Sequence, residues 1–267
     1  MISSEALMKN DALIGYTGFV GQTLLRQRKF GSKFRSTNIE DIVGKEFDLV
    51  VCAGAPAVKW LANKEPKADG DNLNKLINAI AKIKCNRFIL ISTVDVFKTP
   101  IDVNESSLIE RNDLNTYGKN RLALEDYVRE NFENHIIVRL PGLVGPGLKK
   151  NIIYDLLNDN NIEAIDSRAV FQFYPMVNLW HDIMVSINHR LKVVHLTSEP
   201  ISVSEISSQA FGKDFSNHIS DEPAVYDFKS KNVAIYNRGN SEYQYTKEEV
   251  LLSIRSYVQS EMHRGND

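Results

Sequence analysis

The sequence predicts a doubly wound α/β fold with a parallel sheet, on three observations. Short apolar runs that are typical of buried strands alternate with segments whose apolar residues recur at helical spacing. Glycines cluster directly after the first of these runs. Strand and helix in alternation imply right-handed βαβ units. From Pro141 onwards the alternation loosens at a glycine- and proline-rich loop, which indicates a smaller C-terminal lobe.

The individual elements follow from the same periodicities. Strands are expected where apolar residues run together, at 12–15, around Phe34, and at 47–53, 87–92, 135–140 and 193–196. Helices are expected where apolar residues share one face, at 19–27, 71–83, 117–131, 151–158, after 202–204 and at 247–260. We therefore expect a first domain over residues 1–145, joined by about 173–196, and a second lobe over most of 146–267.

Composition excludes several classes of protein. The chain has 267 residues, 43% of them hydrophobic, and a net charge of −2, which excludes dominant disorder and gives no sign of a nucleic-acid partner. Two cysteines cannot form a disulfide scaffold, and the six histidines show no metal-ligand spacing, so we expect no metal. The N-terminus shows no signal-peptide pattern, and no apolar run approaches the roughly 20 residues of a bilayer span. We expect a cytoplasmic protein with no membrane partner.

Three glycines after the first strand predict a phosphate-binding turn. The glycines are Gly15, Gly18 and Gly21. The first allows a tight turn, the second lets the backbone approach a pyrophosphate, and the third lets helix and strand pack closely. The N-terminus of the following helix offers N–H groups to the phosphates. This pattern predicts a dinucleotide-binding domain of the Rossmann type. Three further residues of the turn and helix are expected to contact the cofactor: Thr17, Phe19 and Val20.

The end of the second strand bears on the choice of cofactor. About 20 residues past Gly15 stand Arg35 and Ser36, where an acid would favour NAD and an arginine can accept the 2′-phosphate of NADP. We therefore favour NADP(H) over NAD(H). The alternative is that Arg35 is an ordinary solvated surface charge.

Two further motifs lie after the strand at 87–92 and at the start of the helix at 117–131. Thr93 follows the strand at 87–92, and Tyr117-Gly-Lys-Asn-Arg121 begins a helix. Together with the glycine turn, these residues resemble the extended short-chain dehydrogenase/reductase superfamily, of the NAD-dependent epimerase/dehydratase type that acts on nucleotide sugars. The resemblance extends over most of the chain through four more segments: Ala53-Gly54-Ala55, Asn72 at the start of the next helix, Arg139 to Gly147, and Val194 to Ile206.

The resemblance implies a nicotinamide cofactor, a nucleotide-sugar substrate and specific roles for residues. In that family a tyrosine is the acid/base, a hydroxyl binds the reacting oxygen, and a lysine four residues after the tyrosine holds the nicotinamide ribose. These roles fall on Tyr117, Thr93 and position 121. The resemblance also implies cofactor contacts from Ala53, Gly54, Ala55, Asn72, Tyr117, Arg121 and Pro141. Homodimers are common among such proteins, so a homodimer is a possible assembly.

Two departures from the family pattern bear on catalysis. Position 121 is arginine, which keeps a positive charge near Tyr117 but cannot give up a proton. An active enzyme that uses Arg121 and a cofactor-binding protein without catalysis therefore both stay open. Asp95 lies where dehydratases of the family carry one acid of a pair, but Val94 replaces the other, which disfavours dehydration. A turn or capping role is the alternative for Asp95.

Substrate contacts are expected in two regions, each with an ordinary alternative. Lys59 and Asp95 are candidates in the first domain, and Lys150, Asn151, Gln172 and Tyr174 in the second lobe. The alternatives are solvated charges for the lysines and core packing for the aromatic segment. The resulting hypothesis is keto-sugar reduction in polysaccharide biosynthesis, by hydride transfer with Tyr117 as acid/base. A 4-epimerase with bound NAD and a non-catalytic dinucleotide-binding protein are its alternatives.

Overall fold

The computed structural model describes residues 10–236, 238–239 and 241–264. Residues 262–264 are described by their backbone alone. Residues 1–9, to which the signal-peptide expectation applies, lie outside the described residues. The chain forms two compact units. The first comprises the described residues up to Lys98, with Leu108–Arg139 and Leu179–Val194. The second comprises Thr99–Ser107, Leu140–Asn178 and the described residues from His195 onwards.

Three segments that the sequence analysis assigned to the first domain lie in the second unit: Thr99–Ser107, 140–145 and 173–178. The first of these is the longest. Its strand Ile101–Val103 pairs in parallel with Asp227–Phe228, near the end of the chain. Backbone hydrogen bonds between segments so distant in sequence leave no local pattern, so the periodicity of the sequence does not reveal them.

The strands and helices are numbered in chain order. The strands are β1 (Asp11–Ile14), β2 (Ser32–Phe34), β3 (Glu46–Cys52), β4 (Lys84–Thr93), β5 (Ile101–Val103), β6 (His135–Leu140), β7 (Gly142–Val144), β8 (Val170–Phe171), β9 (Phe173–Pro175), β10 (Val193–His195), β11 (Ile201–Ser202) and β12 (Asp227–Phe228). The α-helices are α1 (Phe19–Gln27), α2 (Lys59–Lys64), α3 (Pro66–Ile80), α4 (Thr116–Asn131), α5 (Ile152–Asn158), α6 (Leu179–Asn188), α7 (Val203–Ile206) and α8 (Lys247–Arg264).

A six-stranded parallel sheet forms the centre of the first unit, as the sequence predicted, in the order β10-β6-β4-β3-β1-β2. The strand order reverses at β1, because β2 lies on one side of it and β3 on the other. Ligands of open α/β sheets bind at such a reversal, outside the carboxyl ends of the strands. β2 is an edge strand of this sheet, and a short 3₁₀ turn, Ile39–Ile42, lies between β2 and β3.

The core of the first unit explains why its strands are nearly continuous apolar runs. Helices on one face of the sheet bury Ile14, Val50, Phe88 and Leu90 against side chains of α3 and α4, such as Leu73. A parallel strand covered on both faces cannot alternate polar and apolar residues. The strand runs recognised in the sequence are therefore strands of the structure.

Helix α3 begins at Pro66, five residues before its expected start at 71. Proline is favoured in the first turn, where its missing N–H is not needed. The apolar pattern starts only at Leu73 because the first two turns are mostly exposed, and Asp69 occupies the buried face there. Asn72 therefore lies exposed in the second turn of α3, which corrects its expected place at the start of the helix.

The second unit is built from short strand pairs and helices. β7 pairs in parallel with β9, and β11 pairs antiparallel with β8. Gln172, between β8 and β9, binds the backbone of Phe228 in both directions, accepting from its N–H at 2.7 Å and donating to its carbonyl at 2.9 Å. Over the described part of the chain, none of the helices combines the length and apolarity that a bilayer crossing requires.

Candidate active site

The glycine turn after β1 is held against the turn after β3. The Gly15 N–H donates to the Phe34 carbonyl at 2.7 Å, and Gly15 has a φ of +85°. A Cβ at Gly15 would lie 2.2 Å from the Ala53 carbonyl oxygen, and one at Gly21 would lie 2.2 Å from the Gly15 carbonyl oxygen. No side chain could occupy either place, so strand, turn and helix pack backbone to backbone.

The start of α1 is open to a ligand. Gly18 is the N-cap residue of α1, and no side chain of the described residues accepts a capping hydrogen bond at this end of the helix. Thr17 and Gly18 are exposed, while Phe19 and Val20 are half-buried. An uncapped helix N-terminus presents N–H groups and a positive dipole end, which suits phosphate oxygens.

Arg35 and Ser36 directly follow β2 and are exposed. The Arg35 N–H donates to the Asn38 side chain at 2.7 Å, which fixes the backbone of this turn. The Arg35 guanidinium makes no hydrogen bond or ion pair with any described residue. A cation without a protein partner, one strand away from the glycine turn, can bind a phosphate.

Helix α4 places Tyr117 at the carboxyl end of β4. Asn115 caps the helix, accepting from the Gly118 N–H at 2.9 Å, while the Asn63 side chain of α2 accepts from the Tyr117 N–H at 3.0 Å. A Cβ at Gly118 would lie 2.2 Å from the Asp95 carbonyl oxygen. Glycine at 118 therefore lets α4 approach the turn after β4 closely enough for Tyr117 to reach Thr93.

Thr93, Asp95 and Lys59 form a hydrogen-bonded chain beside Tyr117. The Thr93 hydroxyl is near enough to Tyr117 to lower the pKa of the tyrosine. Thr93 Oγ1 donates to Asp95 Oδ2 at 3.3 Å and accepts from the Asp95 N–H at 3.1 Å. Asp95 Oδ1 accepts from Lys59 Nζ at 2.6 Å. Asp95 thus has the turn-forming bond that was its alternative reading, and its carboxylate also pairs with Lys59.

Arg121 lies next to Tyr117 but is held by another residue. Its guanidinium carbon lies 4.4 Å from the centre of the Tyr117 ring. Two of its nitrogens donate to the Asp69 carboxylate, at 2.7 and 2.9 Å, and one also donates to the Pro56 carbonyl. Asn120 donates to the same carboxylate at 2.8 Å. Arg121 Nε is buried and has no hydrogen-bond partner among the described residues.

Burial raises the pKa of Tyr117 above its usual value of 10. The Arg121 charge opposes this rise, the Asp95 carboxylate adds to it, and the nearby donor groups of Thr93 and Arg121 oppose it. In this structure the tyrosine is therefore protonated at neutral pH, as an acid that donates to a reacting oxygen must be.

A second buried network fixes the helix that carries Tyr117. Glu125 is fully buried and accepts from Ser92 at 2.6 Å and from Arg139 at 2.7 and 3.0 Å. Arg129, one turn further along α4, donates to the same carboxylate at 2.6 Å. These bonds join β4, α4 and β6, so the strand end at Thr93 and the helix at Tyr117 hold a fixed geometry.

The residues present fit a dinucleotide. The open start of α1 and the exposed Arg35 suit its phosphates, and the orphaned Nε of Arg121 is a donor that a ribose hydroxyl beside Tyr117 could satisfy. Ala53, Gly54 and Ala55 are half-buried at the carboxyl end of β3, where strand order reverses. Among the described residues, no three His, Cys, Asp or Glu side chains form a group that could hold a metal ion.

The structure uses several of the expected second-lobe residues for internal contacts. Tyr174 is fully buried and packs edge-on against Tyr245, and Gln172 is buried with its bonds to Thr197 and Phe228. Asn151 caps α5, accepting from the Ile153 N–H at 3.0 Å. The substrate contacts expected of these three residues stay predictions. Lys150 is exposed and Pro141 half-buried, both in the second unit, and their roles stay predictions.

Sequence reasoning missed residues that the structure brings to the site. Asp69, Asn63 and Gly118 contact Arg121, Tyr117 and Asp95, respectively. Of these three, only Asp69 could have been noticed in the sequence. In a helix that begins at Pro66, Asp69 lies on the same face as the buried Leu73 and Leu76. A buried carboxylate without a partner is costly, so this position predicts a cation nearby.

No protein-family model and no curated protein matches the chain. Solved structures do match over nearly its full length. A dTDP-4-dehydrorhamnose reductase from Yersinia enterocolitica is 18% identical, with a TM-score of 0.71, over 94% of this chain and 99% of that one. A UDP-glucuronic acid 4-epimerase variant from Bacillus cereus, in complex with a fluorinated UDP-glucuronic acid and NAD, is 16% identical, with a TM-score of 0.69, over 94% and 99%.

A third similar structure is RMD from Pseudomonas aeruginosa complexed with NADPH. It is 16% identical, with a TM-score of 0.66, over 95% of this chain and 100% of that one. The similar structures thus include reductases and 4-epimerases of nucleotide sugars, with NAD or NADPH bound in some of them. At these identities the likeness concerns the fold. The chain shares with these nucleotide-sugar reductases and epimerases a doubly wound α/β fold of the Rossmann type.

Proposed function

We propose that the protein is an NAD(P)-dependent oxidoreductase that acts on a nucleotide sugar, most simply as a keto-sugar reductase of polysaccharide biosynthesis. The observation that carries this proposal is the convergence of Tyr117, Thr93 and Arg121 at the carboxyl end of β4. It lies in the same unit as the glycine turn. A hydroxyl pair beside a buried cation suits proton transfer to a carbonyl oxygen.

The chain's residues would share the work in a defined way. The N-terminus of α1 would hold the pyrophosphate, Arg35 a 2′-phosphate, and Arg121 Nε a ribose hydroxyl. The cofactor, when bound, supplies or accepts the hydride. Thr93 would bind the substrate oxygen, and Tyr117 would give it a proton in reduction or take one in oxidation. The charge of Arg121 stabilises the tyrosinate that remains after Tyr117 has donated.

Two other functions each have an observation in their favour. A 4-epimerase with NAD is among the similar structures, and epimerisation would need the same hydroxyls. A non-catalytic dinucleotide-binding protein is favoured by the ion pair that engages Arg121 and by the raised pKa of Tyr117. The reductase is preferred because Arg35 favours NADPH and Tyr117 is protonated, as the acid of a reduction must be.

The decisive experiment combines cofactor binding with turnover. The protein is titrated with NADPH and NADH, after any retained cofactor has been measured, and then assayed with dTDP-4-dehydrorhamnose, UDP-glucuronic acid and UDP-glucose as a substrate panel. Under this proposal NADPH binds more tightly, and Tyr117→Phe loses turnover but keeps binding. Tyr127→Phe, on the same helix, is the matched control and should keep both.

Each other result selects a different function. Retained NAD with interconversion of panel sugars would select the epimerase. Tight binding of a cofactor, with no turnover of any panel sugar, would select the non-catalytic protein. If neither cofactor binds, the glycine turn is purely structural and the proposal fails.

A further inference from the structure

Arg121 is poorly suited to restore the proton that Tyr117 gives away. Its guanidinium is almost fully buried, and Asp69 and the Pro56 carbonyl engage two of its nitrogens. An arginine also keeps its proton throughout the working pH range. If Tyr117 donates a proton in each turnover, as the proposed function requires, the replacement must come from elsewhere.

Helix α2 brings a different cation to the site. Lys59 Nζ lies 2.6 Å from Asp95 Oδ1, and its side chain is 41% exposed, against 4% for Arg121. Asn63, one helical turn after Lys59, accepts the Tyr117 N–H at 3.0 Å. Residues at this spacing share one helix face, so the bond that Asn63 accepts from Tyr117 holds the face that carries Lys59 beside Tyr117.

Hydrogen bonds connect Lys59 to Thr93, which lies beside Tyr117. Asp95 Oδ2 accepts from Thr93 Oγ1 at 3.3 Å, and the Thr93 hydroxyl is near enough to Tyr117 to lower the pKa of the tyrosine. A lysine ammonium, a protonated aspartic acid and a threonine hydroxyl each carry a proton that they can donate. The chain begins at a solvent-accessible amine and ends at Thr93, beside the hydroxyl to which the proposed function assigns proton transfer.

We propose that Lys59 is the proton donor that recharges Tyr117, through Asp95 and Thr93; this rests on the proposed function. In each reduction Tyr117 gives its hydroxyl proton to the substrate oxygen. Lys59 then gives a proton to the Asp95 carboxylate, the protonated Asp95 gives one to Thr93 as Thr93 gives its hydroxyl proton to the Tyr117 oxygen, and Lys59 takes a proton from water. One proton moves from solvent to product, and every group of the chain returns to its starting form.

Two substitutions of Lys59 separate proton delivery from a purely structural role. Lys59→Arg keeps a cation that can pair with Asp95 but cannot release a proton, whereas Lys59→Ala removes both functions. With the panel sugar that the wild type turns over, both variants should lose kcat, on the order of 100-fold, with KM little changed. Added methylammonium should restore turnover in Lys59→Ala and not in Lys59→Arg. Lys64→Ala, on the same helix, should match the wild type.

A second readout needs no substrate. The pKa of Tyr117 can be followed by NMR of ζ-¹³C-labelled tyrosine, with Tyr117→Phe to assign the signal. Lys59→Ala leaves the Asp95 carboxylate unneutralised and should raise the pKa of Tyr117, while Lys59→Arg should leave it near the wild-type value. The charged groups that face Tyr117 are Arg121 and Asp95, and neither is changed by these variants.

The outcomes distinguish the two proposals. If the wild type turns over a panel sugar and Lys59→Arg is as active, Lys59 only pairs with Asp95, and the relay is wrong while the proposed function stands. If added methylammonium does not restore turnover in Lys59→Ala, the relay is wrong and the proposed function still stands. If no panel sugar reacts, the proposed function fails. An unchanged pKa of Tyr117 in Lys59→Ala would then overturn the relay independently.

Discussion

Asp69 holds the guanidinium of Arg121 through two nitrogens, at 2.7 and 2.9 Å, in a pair of which each side chain is only 4% exposed. Breaking a buried pair by removing one charge leaves the other uncompensated. The pair therefore decides both the stability of the α3–α4 contact and the position of the only cation that lies over the Tyr117 ring among the described residues.

Asp69→Asn should destabilise the protein by about 3 kcal/mol, because the buried Arg121 charge loses its partner. The free energy of unfolding is measured in urea at pH 7. Asp113→Asn removes a comparable partner from the exposed Lys98, at 2.9 Å, and should cost less than about 1 kcal/mol. A loss for Asp69→Asn no larger than that of the control would contradict the structure.

The same pair should contribute to stability in a pH-dependent way. Burial alone would raise the pKa of Asp69, but hydrogen bonds from Arg121 and Asn120 and the charge of Arg121 outweigh it, so the pKa is lowered. A carboxyl with a lowered folded-state pKa stabilises the fold above its unfolded pKa of about 3.9 and loses this effect as pH falls through the folded value. The difference in unfolding free energy between wild type and Asp69→Asn should therefore be constant near neutrality and shrink below about pH 4. Urea midpoints from pH 7 to pH 2 test this, and a difference that stays constant would count against it.

Gly118→Ala should destabilise the contact between α4 and the turn after β4. The added Cβ would lie 2.2 Å from the Asp95 carbonyl oxygen, so helix or turn must move, at about 1–3 kcal/mol. Gly70→Ala is the matched control, since nothing lies within 4 Å of its added Cβ and alanine favours a helix by about 1 kcal/mol. Thermal unfolding should shift down for the first variant and up for the second. Equal shifts would mean that α4 does not approach Asp95 as described.

Arg35→Ala should weaken the binding of NADPH and leave NADH unaffected. A charge-assisted contact to a 2′-phosphate is worth about 1.5–3 kcal/mol, so the NADPH dissociation constant should rise roughly 10- to 150-fold. Fluorescence titration with both cofactors measures the effect, with Lys82→Ala as a control at an exposed lysine beyond α3. Equal changes for NADPH and NADH would assign Arg35 a role other than 2′-phosphate recognition.

Short-range patterns in the sequence determined much of the first unit. Apolar runs fixed β3, β4 and β6, because strands covered on both faces require them. The glycine spacing located the turn at Gly15, and Arg35 was found at the end of β2 by its distance along the chain. The helix that carries Tyr117 was likewise predicted within one residue of its start.

Tertiary structure alone decided what those residues contact. Asp69 and Arg121 are 52 residues apart, and Lys59 and Asp95 are 36 apart, so no periodicity could reveal either pair. The burial of Gln172 and Tyr174 in the second unit was likewise visible only in the folded chain. Periodicity reports which face of an element is buried, whereas the partner of a buried charge depends on which elements the fold brings together.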